Sequence, residues 1–157
     1  MPKWRSISRT ASGTGCDGDV LTVTHGMARA VALLLATASL AALLYVGLYQ
    51  SRVVEKMWCP LLGGCEAVAD ASFAHPYGIP DGYIGAGLYA AMLTLVMASA
   101  DRRPLWVALL ALGALATYAN VKGVWDMARI GAFCTYCIFT TAASPLLLWM
   151  IWRLRRA

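Results

Sequence analysis

Charge is what this sequence has least of. Only 13% of its 157 residues are Asp, Glu, Lys or Arg, and eight of these are acidic; soluble domains average about 25% charged residues. The scarcity is concentrated: residues 30–51, 82–100, 104–121 and 130–152 contain no charged side chain, in runs of 18 to 23 residues. Apolar residues make up 60% of the chain, against about 45–50% in a soluble domain. About 20 apolar residues in a helix cross a hydrocarbon layer roughly 30 Å thick. Four such spans leave no room for a separate soluble domain. A soluble enzyme, a disordered chain and a nucleic-acid-binding module are excluded. Internal repeats and low-complexity tracts are missing, and no haem, flavin or nucleotide motif is visible.

A cleaved signal peptide is missing too. Its apolar core would be about 7–15 residues and end at a small-residue cleavage site. The first run is longer, begins late and leads into Tyr45, Tyr49 and Gln50, so it is retained. The expected fold is an all-α membrane protein, a bundle of four spanning helices at about 28–49, 83–100, 104–124 and 132–152. Spanning segments must satisfy their own backbone hydrogen bonds, which selects helices. Residues 1–26 read as a flexible cytoplasmic tail, and residues 27–157 as the membrane domain.

The basic residues that are present give an orientation. Lys3, Arg5, Arg9, Arg29, Arg102, Arg103, Arg153, Arg155 and Arg156 fall on one side of an even number of spans. Only Arg52, Lys56, Lys122 and Arg129 fall on the other. Lys- and Arg-rich short loops stay cytoplasmic, so both termini are expected in the cytoplasm. The net charge of +5 is thus a topology signal and not a nucleic-acid footprint.

Two connections are short, at 101–103 and about 122–129, and Pro145 is expected to bend the last span by removing a backbone donor. The connection between the first two spans, about 50–81, is the outlier, since loops beyond about 12–15 residues are usually functional or disordered. Trp58, Leu61, Leu62, Val68, Phe73, Tyr77 and Ile79 make it too apolar for disorder. A short helix around 66–71, followed by a turn on Pro76, Gly78, Pro80 and Gly82, would form a lid over the outer mouth of the bundle.

Four of the five cysteines lie on that outer side: Cys59, Cys65, Cys134 and Cys137. Disulfides are permitted there. Cys134-Thr-Tyr-Cys137 opens the last span, and sulfurs at i and i+3 of a helix share a face. Cys134, nearest the helix N-terminus, is favoured as a thiolate. Cys59 and Cys65 flank Gly63-Gly64 and can close a small movable loop. Two vicinal pairs suit an electron relay by successive thiolate attack on disulfides. The deepest sulfur, Cys137, would face a two-electron acceptor dissolved in the bilayer, for which a lipid-soluble quinone is the natural choice. Other readings stand beside this one. Cys59–Cys65 is also what a structural staple looks like, and a helical Cys-x-x-Cys is also what two apolar fillers or half a metal site look like. Cys16 lies alone in the tail and reads as inert.

Cys59-x5-Cys65, then Val68, Gly78-Ile79-Pro80, Gly85 and Tyr89, then Phe133-Cys134-Thr-Tyr-Cys137-Ile138, in that order, resemble the vitamin K epoxide reductase family over about residues 30–152. The resemblance implies a four-helix bundle around a quinone pocket, ubiquinone or menaquinone in type, capped by the first cysteine pair. For bacterial members it implies quinone-dependent re-oxidation of a thioredoxin-fold partner that inserts disulfides into exported proteins, and hence an inner-membrane location with the cysteines periplasmic. Many such members carry the partner as a fused domain. With this chain stopping at Ala157, a separate extracytoplasmic thioredoxin-fold oxidase is expected. By position, Cys59 exchanges with the partner, Cys65 relays to Cys134, and Cys137 reduces the quinone.

Asp81 stands near the position of the family's familiar Asn, and Thr141 where animal members have Tyr. With Asn120 they are the candidate quinone-pocket residues, and no metal ligand is expected. As the second residue of a Pro-Asp-Gly turn, Asp81 also fits plain turn chemistry, and Asn120 also fits a helix–helix hydrogen bond. His75 in the loop reads as an ordinary loop residue, with a proton shuttle as the lesser reading. The rival function is a soft-metal permease using the cysteine pairs as ligands, although the inner side offers no cysteine pair for release.

Overall fold

The computed structural model of the protein describes residues 17–98 and 103–156. Residues 1–16 with Cys16, and the connection at 99–102, lie outside the described residues. Helix α1 covers Asp17–Gln50, α2 Cys65–Ala69, α3 Asp81–Ala98, α4 Arg103–Ile130 and α5 Thr135–Arg156. Among the described residues there is no strand. Four stretches are long and apolar enough to span a bilayer: Gly26–Gln50, Asp81–Ala98, Pro104–Ile130 and Thr135–Arg153. The expected all-α four-span architecture is what the chain adopts, and it is an integral multi-pass membrane protein. Its outer surface agrees, with Leu34, Met97 and Val107 all more than 60% exposed. In water, apolar surface on that scale would aggregate; in lipid it is the solvent-facing side.

Four antiparallel spans place the 51–80 loop and the α4–α5 turn at one end of the bundle. At the other end Ala32, Ala36, Met92, Val96, Leu109, Leu147 and Ile151 form a close-packed core. The α1–α3 seam is tightest, because a Cβ on Gly82 would sit 2.4 Å from the backbone nitrogen of Gly47. The side chain of Leu43 fills the space beside Gly85. Helices α3 and α4 touch far less than α1 and α3 do.

Two boundaries differ from the sequence reading. Helix α1 begins at Asp17, so residues 17–26 are helical where a flexible tail is expected. No proline interrupts propagation of the helix back from the apolar span. Helix α4 runs through the expected connection at 122–129. Lys122 and Asp126 are an i,i+4 ion pair along it, and Met127 is buried, so these charges decorate a helix end. Gly131 at φ 68° stops α4. The Ala132 amide then donates to the Met127 carbonyl (3.3 Å) and the Gly131 amide to the Ala128 carbonyl (3.4 Å), which is a Schellman cap. The short lid helix, expected around 66–71, is α2 at Cys65–Ala69. It is followed by single 3-10 turns at Ser72–Ala74 and Pro76–Gly78. Gly82 belongs to α3 and not to the turn. Helix α5 continues through Pro145.

Candidate redox site

The tight stop of α4 determines where Cys134 sits. Only Gly131 to Cys134 separate α4 from α5, and the Cys134 carbonyl accepts the first α5 hydrogen bond, from the Ile138 amide (3.0 Å). Cys134 is therefore the N-cap residue of α5. Its amide donates to the Met127 sulfur at 3.4 Å, and its own sulfur accepts from the backbone N–H groups of Tyr136 and Cys137. An N-cap side chain normally takes these orphan donors with oxygen; here a thiol does so.

Cys134 lies just outside the α5 span. The Cys137 thiol donates to its sulfur, and with the two amides this holds the Cys134 thiol below the ordinary thiol range despite burial. An ordinary thiol titrates near about 8.5. Thiolate absorbance of the protein with Cys59–Cys65 oxidised is expected to rise with pH through a midpoint below that of an ordinary thiol. In Cys137→Ala the midpoint should climb toward the ordinary thiol value. An unchanged midpoint would show that the Cys137 donor is not the cause.

The loop pair is a disulfide, Cys59–Cys65, with Cα atoms 5.9 Å apart, whereas Cys134 and Cys137 are unbonded. Cys65 opens α2 and is fully buried. A Cβ on Gly64 would lie 2.8 Å from the Phe133 nitrogen, so only glycine lets the loop backbone rest on the residue before Cys134. The Cys59 sulfur sits 3.5 Å from the Thr135 hydroxyl. Around it, the Trp58 amide donates to the Tyr45 hydroxyl (3.0 Å) and the Tyr136 hydroxyl donates to the Trp58 carbonyl (2.7 Å). The rings of Tyr45 and Tyr136 meet edge-on at 5.4 Å. All four sulfurs thus belong to one packed cluster with Val46, Met57, Val68 and Met127.

Below Cys137 a cavity of about 690 Å³ opens between α3 and α4. Asp81, Tyr89, Asn120, Thr140 and Cys137 are its deeper polar lining, and Phe73 and Pro76 of the lid cover it. Asp81 and Asn120, two of the three expected pocket residues, both line this cavity. Thr141 is not among the lining residues: its hydroxyl donates back to the Cys137 carbonyl (2.7 Å). One residue is about 100° around a helix, and that turn places Thr140 against the cavity in its stead. The Thr140 hydroxyl donates to Asn120 Oδ1 (3.0 Å), Asn120 Nδ2 donates to Ser144 Oγ (2.7 Å), and Tyr89 shares a 2.6 Å hydrogen bond with Ser144.

Gln50, Tyr89, Thr140 and Ser144 are pocket or hub residues that the sequence reading did not select. For the α5 pair a signal existed, since Cys137, Thr140 and Ser144 recur at helical spacing as a polar stripe in an apolar span. Gln50 is buried at the end of α1 and ties four groups together. Its Nε2 donates to Asp81 Oδ1 (2.6 Å), the Ala74 carbonyl (3.2 Å) and the Ala69 carbonyl (3.5 Å). Its Oε1 accepts from the Gly82 amide (3.1 Å). Lys122 and Arg129 flank the site from α4, with Lys122 taken up by Asp126.

A disulfide laid against a dithiol at the edge of a membrane bundle defines a membrane thiol–disulfide oxidoreductase. The vitamin K epoxide reductase family model matches residues 30–152, and the chain belongs to that family. No curated protein matches it.

Proposed function

We propose that the protein draws two electrons from an outer-side thioredoxin-fold dithiol and delivers them to a membrane quinone. The observation that carries this reading is the ordering of the sulfurs. Cys59 is the more exposed member of a disulfide, Cys65 is packed on the backbone before Cys134, and Cys137 lines the cavity.

The partner's thiolate attacks Cys59, breaking the Cys59–Cys65 bond and freeing the Cys65 thiolate. The partner's second thiol then displaces Cys59 and leaves as the oxidised partner. Cys65 attacks the Cys134–Cys137 disulfide at Cys134 and releases Cys137, and Cys59 resolves the bond between Cys65 and Cys134. The outcome is the oxidised loop pair and reduced helix pair described above. A quinone bound in the cavity supplies a two-electron, two-proton acceptor for that dithiol. The cavity fits such a group: its volume lies within the roughly 300–1,000 Å³ of small-molecule sites, its walls are mostly apolar, and its polar side chains cluster near Cys137. The basic residues flanking the spans support cytoplasmic termini with the cysteines on the outer side, and a bacterial inner membrane with periplasmic cysteines follows from the resemblance to bacterial members of the family.

Reconstitution in liposomes with a reduced thioredoxin-fold oxidase and a ubiquinone or menaquinone tests the reading. One quinone reduced for each partner disulfide formed is expected. Partner oxidation without quinone reduction, or neither, would overturn it.

A further inference from the structure

The hydrogen donors at the cavity are nearly all spoken for. The Tyr89 and Ser144 hydroxyls share one hydrogen bond (2.6 Å), and the second proton of the pair goes to the Thr140 carbonyl, from Ser144 (2.7 Å) or from Tyr89 (3.5 Å). The two N–H groups of Asn120 go to the Ala116 carbonyl (2.9 Å) and to Ser144 (2.7 Å), and Thr140 donates to Asn120 or to the Cys137 carbonyl. Tyr118 and Lys122 stand at the exposed rim. Deep in the cavity, the groups left to donate to a ligand oxygen are the Cys137 thiol and Asp81, if Asp81 carries a proton.

Asp81 and Asp126 both line the cavity, but they are differently placed. Asp126 is paired with Lys122 across one turn of α4. Among the described residues Asp81 has no ion-pair partner; it accepts from the neutral Gln50 amide, and Gln50 fixes which oxygen does what. Because Gln50 Oε1 is committed to the Gly82 amide, its Nε2 must face Asp81 Oδ1. Reversing the amide would set its oxygen against a carboxyl oxygen and two carbonyls. Oδ1 is therefore an acceptor, and a proton on Asp81 belongs to Oδ2. His75, between the cavity-lining Phe73 and Pro76, is partly exposed on the outer face and within electrostatic reach of Asp81. The other titratable groups facing Asp81 are Cys134 and Cys137 from α5, with Lys122 and Asp126 across the cavity from α4.

Proton balance sets the need. A helix pair present as Cys134 thiolate and Cys137 thiol becomes a disulfide by giving up two electrons and one proton. The acceptor takes up two electrons and two protons. We propose that Asp81 supplies the second proton, with Gln50 as the residue that positions it and His75 as its route of reprotonation from outer water. This rests on the quinone reading above. Per turnover, the Cys134–Cys137 bond forms, one proton leaves Cys137 and one leaves Asp81 Oδ2. Asp81 becomes a carboxylate, His75 passes it a proton, and water on the outer side restores His75.

The test uses the full chain in liposomes, wild type against Asp81→Asn, Asp81→Glu and His75→Gln. Without quinone, infrared difference spectra across a pH titration should show a protonated-carboxyl band in wild type that Asp81→Asn lacks. With quinone, Asp81→Asn should lose about 100-fold in quinone reduction, the lower end for a general acid, while Cys59 still exchanges with the partner. Asp81 acts when protonated, so the wild-type rate should fall at the alkaline end, and that fall should vanish in Asp81→Asn. Asp81→Glu keeps the acid and should retain the alkaline fall. His75→Gln should be slowed and restored by imidazole buffer. The proposal is overturned by an infrared band unchanged in Asp81→Asn, or by an Asp81→Asn rate and pH profile matching wild type. If wild type itself reduces no quinone, the acceptor assignment fails, and the infrared titration still decides whether Asp81 holds a proton.

Discussion

In the Cys65→Ala variant, electron flow to quinone stops and Cys59 is caught in a mixed disulfide with the partner. The remaining Cys59 thiolate attacks the disulfide of oxidised partner, so one S–S bond breaks as another forms, with no net change in electrons. In the intact protein two thiols can release Cys59 from the adduct, the partner's second thiol and Cys65, whose Cα lies 5.9 Å from that of Cys59; the variant keeps only the first, so the adduct accumulates. Alanine removes the Cys65 sulfur and with it the proposed relay from the loop pair to Cys134. Losing so short a crosslink lowers stability by about 2 kcal/mol. Cys59→Ala shares that penalty and serves as the control: equal thermal stability in the two variants, with the adduct in Cys65→Ala alone, isolates the chemistry. A non-reducing gel without adduct, beside continued quinone reduction, would reverse the assigned order of the two loop cysteines.

The Cys137→Ser variant separates the two ends of the relay. Quinone reduction should fall to background, because the sulfur that lines the cavity is gone and no second disulfide can form. Exchange of partner with Cys59–Cys65 should persist at a near wild-type rate, because the Cys59 sulfur is held beside Thr135 and the loop backbone at Gly64 rests on Phe133, neither through the Cys137 sulfur. Serine is close in volume and keeps a donor toward Cys134, so folding is preserved. Partner exchange lost together with quinone reduction would mean that Cys137 also shapes the outer site, and normal turnover would remove it from the terminal step.

Much of this was legible in the residues themselves. Charge-free runs of spanning length mark the four helices, and the spacing of Cys59 to Cys65 and Cys134 to Cys137 marks the site. The Lys122–Asp126 stretch misled because charges in a membrane protein look like a connection. Only the Schellman cap at Gly131 shows that they ride on the last turns of α4. That shift matters, since it makes Cys134 an N-cap. The distinction between Thr140 and Thr141 is a matter of helical phase, which a pair of adjacent threonines cannot reveal. The Tyr89–Ser144 and Asn120–Ser144 hydrogen bonds join residues 55 and 24 positions apart, and no local pattern reports such a pairing. Gln50 was hidden for the same reason. Beside Tyr45 and Tyr49 it looks like an ordinary headgroup-level residue, and its four partners come from segments brought together only by folding.

The contrast between the glycine-tight α1–α3 seam and the looser α3–α4 pair decides how a guest reaches Cys137. One wall of the chamber is sealed backbone to backbone, while the other, at Ile84, Leu115 and Tyr118, is a slot facing the acyl chains. On the proposed quinone reading, entry is sideways, from the plane of the bilayer. Occupancy should follow the mole fraction of guest among the lipids and be indifferent to its concentration in water, and a long isoprenoid tail can stay outside, threaded through the slot, while only the ring turns in toward the sulfur.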